Sequence, residues 1–160
     1  MPIQILQLES TTTDGVELKS YVCLPESASP ANPPPPILGA PVGWGVVEHP
    51  QQVTARLALA GVAAVAMDVY GEGKLTTDAA QANEWMSQML ADQDMLMARC
   101  KLIMDDFTDL EAVDTNRLGA IGFCFGGKIA LDMAREGFPL KAVATFHGNP
   151  TPKHPAQKGK

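Results

Sequence analysis

Residues 62–68 read Val-Ala-Ala-Val-Ala-Met-Asp, an apolar run without polar alternation that follows directly on Gly61. A strand that faces water on one side alternates apolar with polar residues, whereas a strand covered on both faces does not. The run therefore predicts a parallel strand held between two layers of helix. Its flanks agree with that reading. Residues 50–60 place Val53 and Leu57 at helical spacing and end on Gly61, which predicts a helix that buries those two side chains. Trp85, Met89, Leu96, Cys100, Ile103, Phe107 and Leu110 also recur at helical spacing, so residues 83–112 are expected to form one long helical region with the methionines as core filler. Residues 117–122 predict a strand, 126–136 a helix closed by Gly137, and 141–146 a further strand.

Upstream, Ile3, Ile5 and Leu8, then Val16, Leu18, Val22 and Leu24, flank the turn signal Thr13-Asp14-Gly15 and predict an N-terminal β-hairpin. Residues 27–36 end in four prolines, which cannot join a sheet ladder, so this segment should run extended over the surface. Residues 37–42 predict a short strand weakened by Gly39 and Pro41. The order after the hairpin is βαβαβαβ. It argues an α/β fold of three layers, with a mostly parallel sheet and right-handed crossovers. Residues 1–148 form one expected domain and residues 149–160 a polar C-terminal tail.

An apolar fraction of 46% against 19% charged residues describes a chain with a packed core. The net charge of −6 repels phosphate backbones and anionic lipid surfaces, so neither nucleic acid nor a membrane is an expected partner. No stretch approaches the roughly 20 apolar residues of a membrane helix, and residues 1–10 carry no secretory signal pattern. Cys23, Cys100 and Cys124 are far apart and odd in number, which fits free thiols in a reducing compartment, so a cytoplasmic location is expected.

The chemistry concentrates in Gly122-Phe123-Cys124-Phe125-Gly126-Gly127, where a predicted strand meets a predicted helix. This is the form of a nucleophile elbow with cysteine in place of serine. Such a turn strains the nucleophile's backbone and lifts its side chain out of the sheet, while the glycines let strand and helix approach. It sets the sulfur at the positive end of a helix, where thiolate is favoured, and leaves the Phe125 N–H free to meet an oxyanion.

Together with Met67-Asp68-Val69-Tyr70-Gly71-Glu72-Gly73 and Ala144-Thr145-Phe146-His147-Gly148, the elbow makes the chain resemble the dienelactone hydrolase family over nearly its whole length. The resemblance implies an α/β-hydrolase fold that cleaves a small ester or lactone through a cysteine acyl-enzyme, with no metal or organic cofactor. It implies Cys124 as nucleophile, Phe125 and Gly43 as oxyanion donors, and Trp44 and Tyr70 as pocket walls. Many relatives carry a carboxylate, which helps control the thiol proton, at the place held here by Val42. The family also places its acid and histidine after two later strands, whereas this sequence ends at Lys160, so the fold is expected to be incomplete on its C-terminal side. His147 reads as a structural residue at a strand end, His49 as flanking a helix, His154 as part of the polar tail, and Glu48 as a solvated charge.

Two further readings compete with a thiol hydrolase. One is a non-catalytic homologue that acts by binding or self-association; the other is a redox-sensitive thiol protein. The strand at residues 141–146 is expected to be an open sheet edge through which copies of the chain associate.

Overall fold

The computed structural model describes residues 2–153. Strands β1 (Ile3–Thr11) and β2 (Glu17–Pro25) form the expected antiparallel hairpin, in a register that pairs Ile3 with Pro25 and Thr11 with Glu17. They are followed by β3 (Pro36–Ala40), helix α1 (Glu48–Leu59), β4 (Ala63–Ala66), α2 (Ala79–Ala91), α3 (Gln93–Thr108), β5 (Gly119–Phe123), α4 (Phe125–Arg135) and β6 (Ala142–Phe146). A 3-10 turn at Thr115–Arg117 leads into β5.

All six strands join one sheet in the order β1-β2-β4-β3-β5-β6, with β4, β3, β5 and β6 parallel and the hairpin antiparallel at one side. The connection from β3 to β4 runs one way across the sheet, and those from β4 to β5 and from β5 to β6 run the other way. Right-handed crossovers therefore put α1 on one face and α3 with α4 on the other, where α3 and α4 touch. β4 is buried along its whole length, as its lack of polar alternation requires. Leu38, Val65, Leu96, Ile103, Phe107 and Ile129 are buried together in the α3/α4 half of the core. No helix among the described residues is long and apolar enough to cross a membrane.

The structure corrects the sequence reading at two helices. The single helical region over residues 83–112 is two helices, because Asp92 leaves helical geometry (φ −124°, ψ 78°) and its carboxylate accepts the Met95 N–H at 3.0 Å, starting α3 anew. α1 starts two residues earlier than expected and buries Pro50, Thr54 and Ala58, while Val53 and Leu57 are half-buried on the wall of a narrow apolar cleft between α1 and the sheet. After β6 the chain runs back along α4, whose Lys128 and Arg135 donate to the carbonyls of Thr151 and Pro150. The remainder of the expected tail, His154 included, lies outside the described residues.

Candidate active site

Cys124 sits between β5 and α4 with φ 56° and ψ −119°, a left-handed conformation that a residue with a Cβ adopts only under constraint from its surroundings. Two backbone approaches supply the constraint. A Cβ on Gly122 would lie 2.0 Å from the Gly126 carbonyl oxygen, so the end of the strand folds directly onto the first turn of the helix. A Cβ on Gly126 would lie 2.5 Å from the Ala40 oxygen and 2.6 Å from that of Pro41, so the same turn sits on the end of β3. The Cys124 N–H donates to the Phe146 carbonyl at 2.9 Å, and its carbonyl accepts from Gly127 and Lys128. The Phe125 N–H, first in the helix, has no intrahelical acceptor. The thiol itself is exposed.

The other two thiols are unlike it. Cys23 and Cys100 are buried; loss of hydration pushes both up, Cys100 to about 12 with the charge of Asp132 adding to the rise.

Three successive carbonyls of the loop after β3 are in use. The Val42 oxygen accepts from Gly45 N–H at 3.0 Å, the Gly43 oxygen from the Tyr70 hydroxyl at 2.8 Å, and the Trp44 oxygen from Thr76 N–H at 3.1 Å. Among the described residues the N–H groups of Gly43 and Trp44 have no acceptor. Tyr70 ties this loop to the elbow, since its ring also stacks on Phe125 with centroids 6.1 Å apart. Gly43, Tyr70 and Phe125, the residue after Cys124, are thus linked by direct contacts. Trp44, next on the loop, is 40% exposed.

Val42 stands half-buried on the wall of the α1 cleft with His49 and Phe123. Glu48 is solvated and accepts from Gln52. His49 belongs to the first turn of α1 and meets Phe123 edge-on at 5.0 Å, while Phe123 stacks on Phe146 at 4.6 Å. Phe123, the residue before Cys124, is therefore clamped from both sides. His147 is exposed, has a left-handed backbone (φ 42°) and lies 6.5 Å from Phe123 between ring centroids. No described side chain is hydrogen-bonded to the Cys124 sulfur.

Three residues that sequence reasoning passed over shape the site. Asp68 is buried and accepts the N–H groups of Lys19, Gly71 and Gly73, which folds the turn beyond Tyr70. Met86 of α2 lies against Gly43, where a Cβ would come within 2.6 Å of its sulfur. Arg99 of α3 is 8% exposed and its Nη1 donates to the Val69 and Tyr70 carbonyls at 2.8 and 2.9 Å. Asp68 stands without an assigned role in the motif around Tyr70, and Arg99 leaves a signal of its own, a cation between Leu96 and Ile103 on a face that is otherwise apolar.

The dienelactone hydrolase family model matches residues 18–160. A carboxymethylenebutenolidase homologue of Yersinia pestis is 29% identical over 140 residues, covering 85% of this chain and 51% of that protein. One of Methylorubrum extorquens is 32% identical over 144 residues, covering 84% of this chain and 46% of its own length. The chain spans about half the length of these curated relatives. Among solved structures, one named m3DLH superposes with a TM-score of 0.88 at 31% identity, covering 96% of this chain and 62% of that one. A dienelactone hydrolase-like promiscuous phosphotriesterase from metagenomic libraries gives 0.88 at 30% identity, covering 96% and 63%. The family model covers most of the sequence, and these matches agree with it: the chain belongs to the dienelactone hydrolase family.

Proposed function

We propose that this protein cleaves small esters or lactones through an acyl group carried on Cys124. The observation that carries the reading is the left-handed Cys124 at the β5–α4 junction, exposed at the start of a helix and beside unspent N–H groups. The sulfur attacks the carbonyl carbon, the thiol proton passes to solvent, and the carbonyl oxygen takes up charge within reach of the Phe125 and Gly43 N–H groups. The C–O bond then breaks, the alcohol leaves, and water hydrolyses the thioester to release the acid and restore the thiol. Membership in the family supports this reading, as do the names of the relatives. Three unpaired cysteines fit a reducing compartment, and we place the protein in the cytoplasm.

The general base for deacylation has no described side chain on the sulfur to fill it. With p-nitrophenyl acetate, the 160-residue chain is therefore expected to release a burst near one equivalent of p-nitrophenol and then to turn over slowly. Stopped-flow absorbance checks this. A wild-type trace identical to that of Cys124→Ala would remove the reading.

A second reading, association of copies through β6, is favoured by that strand's exposure. Among the described residues β6 pairs with β5 on one side only, four of its five residues are exposed, and Phe146 is 47% exposed. Ala142-Val143-Ala144-Thr145-Phe146 has none of the charges or prolines that blunt an edge. A sedimentation coefficient that rises across a micromolar dilution series is the expected result; a concentration-independent monomer contradicts it.

A further inference from the structure

The Tyr70 hydroxyl lies 2.8 Å from the Gly43 oxygen, and its ring stacks on Phe125. One side chain thus links the loop residue Gly43 to the ring of Phe125, the residue that follows Cys124. Tyr70 is in turn held from below. Arg99, rooted in α3 and nine-tenths buried, grips the carbonyls of Val69 and Tyr70 with one guanidinium nitrogen. Removing such a cation from water is costly, so its placement under a single turn calls for a role that a neutral side chain could not fill. Burial also raises the Tyr70 hydroxyl well above its ordinary range, which keeps it a hydrogen-bond donor throughout the working pH range.

We propose that Tyr70 and Arg99 are positioning residues for oxyanion stabilisation: Arg99 fixes the Tyr70 backbone, and Tyr70 fixes the Gly43 loop against Phe125. The proposal rests on the hydrolase reading above. With the Gly43 carbonyl held by Tyr70 and those of Val42 and Trp44 held by Gly45 and Thr76, the loop cannot turn its carbonyls toward the thiol and repel a developing negative charge. Such preorganisation acts on a reaction that builds charge on a carbonyl oxygen and leaves others untouched.

Two reactions of the same thiol separate this from a general structural role. Acylation by p-nitrophenyl acetate passes through an oxyanion; alkylation by iodoacetamide displaces iodide from a saturated carbon and does not. In the intact 160-residue chain, Tyr70→Phe is expected to slow Cys124 acylation about 10-fold, a fraction of the loss on removing an oxyanion donor outright, and to leave alkylation within about twofold. Arg99→Lys keeps the charge but cannot reproduce the guanidinium's geometry, and is expected to act in the same direction; it also serves if Tyr70→Phe does not fold. Unchanged acylation in both variants overturns the proposal. An equal loss in both reactions also overturns it, because the thiol itself has then moved. Wild-type acylation no faster than that of Cys124→Ala overturns the hydrolase reading instead, and this proposal with it.

Discussion

Gly122→Ala is expected to destabilise the protein by about 3 kcal/mol or more and to abolish acylation of Cys124, because the added methyl has nowhere to go. It would stand 2.0 Å from the Gly126 oxygen, 2.2 Å from the Gly126 carbonyl carbon and 2.7 Å from the Gly127 nitrogen, all backbone atoms of the first turn of α4. A flexible side chain could yield; a helix backbone wedged between β3 and β6 cannot. Separating strand from helix would also release the left-handed turn that presents the thiol. Urea titration checks the stability, and an unchanged midpoint would mean that the β5–α4 contact is looser than described.

Stability should also fall steeply in alkali because of Cys100. Its thiol is buried between α3 and the rest of the core, and loss of hydration, with the Asp132 charge second, raises it from 9.0 to about 12. Above pH 9 the unfolded chain releases this proton while the native chain keeps it, so the unfolded state binds fewer protons and stability falls with rising pH. The contribution is intact below pH 9 and is lost between pH 9 and 12, at about 1.4 kcal/mol per pH unit. Lysines and tyrosines titrate in the same window, so the comparison is with Cys100→Ala. The variant should be less stable at pH 8 through its cavity, and the gap should narrow by about 2 kcal/mol by pH 10.5. A gap that stays constant across that range contradicts this account of Cys100.

The sheet was legible in the sequence because its signals are local and mutually consistent. Val62-Ala63-Ala64-Val65-Ala66, short and closed off by Gly61, reads as a doubly covered strand, the Thr13-Asp14-Gly15 turn marks the hairpin, and the glycines around Cys124 mark the elbow. The break at Asp92 was hidden because apolar periodicity continues through it, and only a side chain bonding its own helix N-terminus reveals a new start. The part of the site that sequence patterns did not reveal is the part built by contacts over long separations. Tyr70 reaches Gly43 and Arg99 reaches Tyr70 across 27 and 29 positions. No spacing rule encodes such a meeting; it follows from β4 lying beside β3 and from α3 packing on the same face.

If Cys124 carries the acyl group, peptide mapping by mass spectrometry after brief exposure to p-nitrophenyl acetate and acid quench is expected to find a single acetyl thioester on the peptide containing Cys124. None is expected on those containing Cys23 or Cys100, and no adduct in Cys124→Ala. Acetyl groups spread over lysines, or equal labelling of all three cysteines in the folded protein, would contradict it.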